Sequence, residues 1–208
     1  MPAAWIRWTW LTVLLFPLSL LFRAIVAVRR VLYQRGWRKS DRLSVPVIIV
    51  GNISVGGTGK SAFVMMLAEW AVSRGIPTAV LSRGYKRKVR SIRIVPPHAP
   101  LPDAEEIGDE PWMIRNRVPG VGLLVHPDRA RMAKRHWREL GEPRLVILDD
   151  AFQHWRCARN LDVLMVDATE SVEQKTLPFG RLRETVWAAR RADLLLISRA
   201  HAVEPSEL

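Results

Sequence analysis

The chain has 208 residues, enough for one sizeable core or one domain with an appendage, and too few for two full domains. Its 32 Lys and Arg against 20 Asp and Glu give a net charge of +12, which favours anionic partners such as phospholipid, nucleic acid or a phosphorylated substrate. Cys157 is the only cysteine, which excludes an intramolecular disulfide framework and zinc sites built on several thiolates, and a hydrophobic fraction of 49% argues against a disordered chain.

Trp8 to Phe22 carries no charge and is bracketed by Arg7 and Arg23. Fifteen residues at about 1.5 Å each fall short of a hydrocarbon core about 30 Å thick. If the two arginines snorkel, the apolar segment extends from Trp5 to Val28, long enough to cross with tilt, with Trp5, Trp8 and Trp10 at one interface. Arg23, Arg29, Arg30, Arg35, Arg38, Lys39 and Arg42 follow with Asp41 as the single acid, which places the downstream chain in the cytoplasm by the positive-inside rule. The expectation for residues 1–42 is thus a membrane helix and a basic juxtamembrane segment. The competing readings are a cleaved signal peptide, with Ala24 and Ala27 as small residues near its end, and a buried or interfacial amphipathic helix.

After Arg42 short apolar runs alternate with basic, helix-compatible stretches. Val45 to Val50, Thr78 to Leu81, Val121 to Val125, Leu145 to Leu148, Val163 to Val166 and Leu194 to Ile197 read as strands. Continuous apolar runs are the mark of parallel strands covered on both faces. Helical patterns over Lys60 to Ser73 and Arg129 to Leu140 complete an α/β fold, a mostly parallel sheet flanked by helices. Arg93 to Pro111 holds five prolines and little periodicity, and reads as a long loop over the sheet.

The most specific signal is Gly51-Asn52-Ile53-Ser54-Val55-Gly56-Gly57-Thr58-Gly59-Lys60-Ser61, directly after one strand and directly before a helix. This is the context of a P-loop. Backbone N–H groups from Ser54 to Ser61 would cradle phosphate oxygens, with the helix dipole adding positive charge. Lys60 would reach the β- and γ-phosphates of ATP, and the Ser61 hydroxyl would ligate Mg²⁺. Ser54 stands where the strict pattern wants Gly; the Gly56-Gly57 pair supplies flexibility instead. The strand Leu145 to Leu148 ends in Asp149-Asp150, and acids at a strand's carboxyl end point into the crevice where phosphates lie, so this pair is the second metal anchor.

Three stretches together resemble one family: the P-loop run; Gly108-Asp109-Glu110-Pro111; and Leu148-Asp149-Asp150-Ala151-Phe152-Gln153-His154. With Leu81-Ser82-Arg83-Gly84-Tyr85, Leu177-Pro178-Phe179-Gly180-Arg181-Leu182-Arg183-Glu184 and Arg191-Ala192-Asp193, they look like the tetraacyldisaccharide 4'-kinase family, membrane-associated P-loop kinases of lipid A assembly in Gram-negative bacteria. The resemblance implies a kinase domain over 43–208 that transfers the ATP γ-phosphoryl group to the 4'-hydroxyl of an acylated glucosamine disaccharide 1-phosphate. It implies a catalytic role for Asp109 beside Lys60 and Asp149, and a place at the cytoplasmic face of the bacterial inner membrane. The basic run Arg83, Lys86, Arg87, Lys88, Arg90 and Arg93 would then face an anionic bilayer.

The departures from the family pattern bear on activity. Ser61-Ala62 replaces Thr-Pro and keeps the hydroxyl; Ala151 replaces Gly; Glu173-Gln174-Lys175 replaces a Gly-Asn-Gly turn; Thr185 replaces Pro. The family's Asp-His-His element, one His of which works with the acid matching Asp109, has no match among His98, His126, His136, His154 and His201. The expectation is a chain shortened at its C-terminus that binds ATP and turns over weakly or not at all. The alternative is a membrane-tethered P-loop ATPase or nucleotide-dependent switch without kinase activity. Nucleic-acid binding rests on charge alone, with no interleaved aromatics or recognised module, and is not expected.

Overall fold

The computed structural model describes residues 9–85, 87–88, 91–170 and 175–203, with side chains from residue 15 onward. Trp5, Trp8, Lys86, Arg90, Glu173 and Gln174 lie outside the described residues, as does the side chain of Trp10.

Seven strands form one sheet in the order β3-β4-β2-β5-β1-β6-β7. They are β1 (Val47–Gly51), β2 (Thr78–Ser82), β3 (Arg93–Val95), β4 (Gly122–Val125), β5 (Leu145–Leu148), β6 (Leu161–Asp167) and β7 (Leu194–Ser198). All six strands read from the apolar runs are present, within two residues at each end, and pair in parallel. Every residue of β2, β4 and β5 is buried, most of them Val, Leu, Ile or Ala, as expected of strands covered on both sides. Helix α2 (Lys60–Ser73) packs Val64, Ala68 and Ala71, spaced by four and three residues, onto one face. Helix α5 (Arg129–Arg135) packs Ala130 and Ala133 onto the other.

Two expectations are corrected. The stretch from Arg93 to Pro111 is not one long loop: it contains β3, paired antiparallel with β4, then α3 (Ala104–Ile107) and the start of α4 (Asp109–Arg117). Pro111 is the third residue of α4, inside the first turn, where a missing N–H leaves no intrahelical bond unmade. Helix α5 stops at Arg135, not Leu140; the chain turns over the next residues and Gly141 and Glu142 take positive φ of 81° and 47°.

Helix α1 (Thr9–Gln34) runs 26 residues with Pro17 inside it. Leu15, Ser19, Phe22 and Val26, at intervals of four, three and four, are less exposed than their neighbours, as are Leu32 and Tyr33 near the helix end, and buried Ser19 bonds Thr176 through both the Thr176 carbonyl (3.0 Å) and hydroxyl (2.7 Å). Phe16, Leu18, Leu20, Leu21, Ile25 and Val28 remain exposed. Among the described residues no helix is long and apolar enough to cross a membrane, so the helix expected at the N-terminus is present but its spanning form has no support there.

Candidate active site

The sheet order puts the phosphate loop beside the acid pair. β1 lies between β5 and β6, with Ile49 opposite Leu148, so the residues that follow β1 and β5 leave the sheet side by side. Gly51 is required at this junction: a Cβ there would stand 2.6 Å from the Phe152 backbone nitrogen. Gln153 closes the contact, its Nε2 donating to the Asn52 carbonyl at 2.8 Å.

The loop then returns to α2. Gly59 caps the helix in the left-handed region at φ 78°, which favours glycine. Lys60 opens α2 and is buried; its Nζ donates to the Gly56 carbonyl at 3.3 Å, folding the side chain back over the loop, and lies 3.8 Å from Asp150 Oδ1. Ser54 is buried and bridges Leu182, while Val55 and Gly56 line an open cleft. Gly57 O accepts from Arg199, itself paired with Asp167, and Val55 O accepts from Arg181. The Thr58 hydroxyl and the Asn52 amide are buried and have no hydrogen-bond partner among the described residues. Ser61 follows Lys60 on the first turn of α2 and does not line the cleft.

Asp149 and Asp150 have different surroundings. Asp149 is 1% exposed beneath the cleft; its Oδ2 accepts a long bond from Ser82 Oγ at 3.4 Å and its Oδ1 has no partner among the described residues. Burial pushes its carboxyl up to about 7, the nearby Glu110 and Asp150 carboxylates add to the rise, and Arg129 and Lys60 oppose it. Arg129, buried and bonded to the Asp149 carbonyl, is itself lowered to about 10 by burial. Asp150 faces the cleft with φ 44° and is gripped through both oxygens by Arg183 Nη1, at 3.0 and 2.9 Å.

A cleft of about 560 Å³ unites Val55, Gly56 and Lys60 of the loop with Asp150, Glu110 and Arg183. Asp109, expected as the catalytic acid, is the first residue of α4 and does not line the cleft; its neighbour Glu110, which the sequence reading passed over, does. Burial raises the Glu110 pKa, Asp150 adds to the rise, and Lys60 and Arg183 oppose it. The helical start at Asp109 that separates the two neighbours was not readable in a stretch that reads as a loop. Phe22, Val26 and Arg29 of α1 form the opposite wall. His154, in the motif with the acids, is lowered to about 3 by burial and by Arg129 and is therefore neutral.

Among the described residues no three His, Cys, Asp or Glu side chains come together as a cage for a metal. A P-loop cation needs less from the protein, one hydroxyl and one or two carboxylates, because phosphates and water supply the rest. The buried Asp149 Oδ1, without a partner among the described residues, fits that role.

The comparisons agree with this geometry. The family model described as tetraacyldisaccharide-1-P 4'-kinase matches residues 11–207. A tetraacyldisaccharide 4'-kinase of Chlorobaculum parvum is 39% identical over 190 residues, 89% of this chain and 53% of that protein. Those of Aquifex aeolicus and Pseudomonas paraeruginosa are each 40% identical, over 93% and 95% of this chain and 60% and 59% of theirs. The crystal structure of LpxK from Aquifex aeolicus in complex with ATP superposes with a TM-score of 0.82 at 39% identity, over 91% of this chain and 59% of that one. The chain thus spans between 53% and 60% of the length of these curated relatives. With the loop, the acid pair and the sheet order all in agreement, the chain belongs to the tetraacyldisaccharide-1-P 4'-kinase family.

Proposed function

We propose that the protein uses ATP to phosphorylate the 4'-hydroxyl of a tetraacyldisaccharide 1-phosphate at the cytoplasmic face of a bacterial inner membrane. The observation that carries this reading is the meeting of Lys60, Asp150 and Glu110 in one cleft walled by α1. Backbone N–H groups from Gly56 to Ser61 hold the triphosphate, since the Val55 N–H already donates to the Arg181 carbonyl at 2.7 Å, and the Thr58 hydroxyl, which has no partner among the described residues, donates to it as well. Lys60 leaves Gly56 O and takes the β- and γ-phosphate oxygens. Ser61, Asp149 and Asp150 would hold Mg²⁺, which when bound offsets the charge on the β- and γ-phosphates.

For transfer, a carboxylate accepts the proton of the acceptor hydroxyl while the hydroxyl oxygen forms a bond to the γ-phosphorus. The bond from that phosphorus to the β–γ bridging oxygen breaks, and ADP leaves with the electron pair. Asp109 carries this role by family resemblance, and Glu110 stands nearer the cleft. The apolar face that α1 exposes, with Arg23, Arg29 and Arg30 along it, suits a helix lying in the interface of an anionic membrane, where the lipid acceptor resides.

The test is transfer of label from γ-labelled ATP to tetraacyldisaccharide 1-phosphate in phospholipid vesicles. Labelled 4'-phosphate product supports the reading; the 208 residues alone are expected to give it slowly, since none of their histidines matches the family's Asp-His-His element. ATP hydrolysis with no transfer would favour a membrane-tethered switch instead.

A further inference from the structure

The phosphate loop is held from behind by two arginines that lie far from it in sequence. Arg181 donates to the Val55 carbonyl through both Nε (3.1 Å) and Nη2 (2.7 Å), and Arg199 donates to the Gly57 carbonyl through Nη2 at 2.7 Å. Val55 and Gly56 line the 560 Å³ cleft; neither arginine does. We infer that Arg181 and Arg199 are positioning residues for ATP: they turn two peptide units of the loop so that the Gly56 and Thr58 N–H groups face the triphosphate. This role rests on the ATP-using reading above.

The first support is stereochemical. In a trans peptide the carbonyl and the N–H of the next residue lie in one plane and point in opposite directions. The peptides of this loop are trans. A guanidinium on the Val55 carbonyl, behind the loop, therefore sends the Gly56 N–H toward the cleft, and one on the Gly57 carbonyl does the same for Thr58. Successive N–H groups turned to one side make a loop an anion-binding nest. Among the described residues neither N–H donates to a backbone carbonyl.

The arginines are themselves fixed. Arg181 pairs with Glu170 at 3.2 Å and Arg199 with Asp167 at 2.9 Å, and the two acid side chains are 16% and 3% exposed. Thr169 holds Asp167 Oδ1 through its N–H and its hydroxyl, at 3.0 and 2.7 Å, which leaves Oδ2 to Arg199. The Arg181 main chain adds a second grip, its carbonyl accepting the Val55 N–H at 2.7 Å. Two acids balance two arginines in this cluster, so its contribution to the loop is orientation rather than net charge.

The loop also rests directly on these groups. A Cβ at Gly56 would stand 2.6 Å from Arg181 Nη2 and 3.1 Å from Glu170 Oε1. A Cβ at Gly59 would stand 3.6 Å from that of Ser198, the last residue of β7, and Arg199 follows with φ 56°, uncommon for a residue other than glycine.

The experiment titrates ATP with Mg²⁺ into the full chain and into Arg181→Met, Arg199→Met and Asp167→Asn by calorimetry, with urea denaturation alongside. Each variant releases one peptide unit, and with it one hydrogen bond to a charged phosphate, so ATP affinity should fall roughly tenfold in each. The arginine side chains are more than half exposed, so both methionine variants should unfold at wild-type urea concentrations. Asp167→Asn carries the discriminating sign. Removing a negative charge near a triphosphate tightens binding if charge alone acts, whereas the clamp requires weaker binding because Arg199 loses its anchor. The ratio between wild type and the methionine variants should also persist at about 1 M salt, where charges are screened beyond about 3 Å.

Tighter binding by Asp167→Asn, methionine variants that bind like wild type, or a ratio that vanishes in salt overturns the clamp. Should Asp167→Asn fail to fold, the methionine variants and the salt series decide. ATP binding that weakens as expected, without transfer to the disaccharide lipid, leaves the clamp standing and removes the kinase reading. A wild-type chain that binds no ATP removes both.

Discussion

Lys60 Nζ stands 3.8 Å from Asp150 Oδ1, while Arg183 Nη1 holds both oxygens of that carboxylate, at 3.0 and 2.9 Å. This bridge joins the first residue of α2 to the end of β5, two places that adjacent strands β1 and β5 bring side by side. The same ammonium also donates to Gly56 O, so phosphate oxygens would take over positions already shaped for a charged partner.

Lys60→Ala removes the only cation that enters the loop from α2. Hydrogen bonds to charged groups contribute about 2 kcal/mol net, so ATP affinity should fall by roughly thirtyfold, read by calorimetric titration. Unchanged ATP binding would remove the loop from the mechanism.

Gly51→Ala should separate the two halves of the site. The added Cβ meets the backbone of Phe152, which cannot swing away as a flexible side chain would. Overpacking of this kind costs about 1 to 3 kcal/mol. The variant should unfold at lower urea and bind ATP less tightly, since displacing Phe152 moves the acid pair two and three residues before it. A variant as stable as wild type would show that the contact is easily relieved.

Asp149 makes stability depend on pH in a definite direction. Its folded pKa is raised from 3.8 to about 7, so between those values the native state binds more protons than the unfolded chain. Stability contributed by the neutral carboxyl is full below about pH 4 and is lost as pH rises through about 7. Thermal melts of the nucleotide-free protein should therefore show a downward component across this window that Asp149→Asn lacks. Parallel melting curves for the two proteins at every pH would contradict it.

The parallel core was readable because β2, β4 and β5 are buried on both faces and Val, Ile, Leu and Ala dominate them, with Thr78, Ser82 and Gly122 only at their ends. The phosphate loop was readable because its glycines meet local needs: Gly59 caps α2 in the left-handed region. Strand β3 escaped because three residues, two of them half-buried, show no period, and its strand character comes from pairing with β4. The short helices after it were hidden by prolines that fall in loops or in a first turn. Within the site, adjacency in sequence concealed a division of surroundings. Asp149 and Asp150 were read as a pair, yet one is buried and near neutrality and the other faces the cleft in an arginine grip. Arg181, Arg183 and Arg199 reach the loop or acids from more than thirty residues away, and no local pattern announces such partners.

Ser19→Ala tests how α1 is seated. Ser19 is 5% exposed and its hydroxyl is bonded to Thr176, so its removal should cost about 1 kcal/mol locally and leave Thr176 with one partner fewer. Amide hydrogen exchange should quicken in α1 while β1, β2 and β5 keep their protection. Protection in α1 equal to wild type would mean that Leu15, Phe22 and Val26 hold the helix without the polar contact.

Arg191 should prove more costly to lose than its place near the end of the chain suggests. Its guanidinium makes two bonds to Glu184, at 2.8 and 2.7 Å, donates to Phe152 O, and lies 3.8 Å from the centroid of the Phe152 ring. Glu184 is 5% exposed, so Arg191→Met leaves a buried carboxylate without its counter-ion. Breaking such a pair from one side costs about 3 to 5 kcal/mol, whereas replacing both partners costs far less. Urea denaturation of Arg191→Met, Glu184→Gln and the double variant should therefore give a double variant more stable than Arg191→Met alone. If the two losses instead add, Glu184 is not the group that suffers, and the contact with the Phe152 ring and carbonyl accounts for the damage.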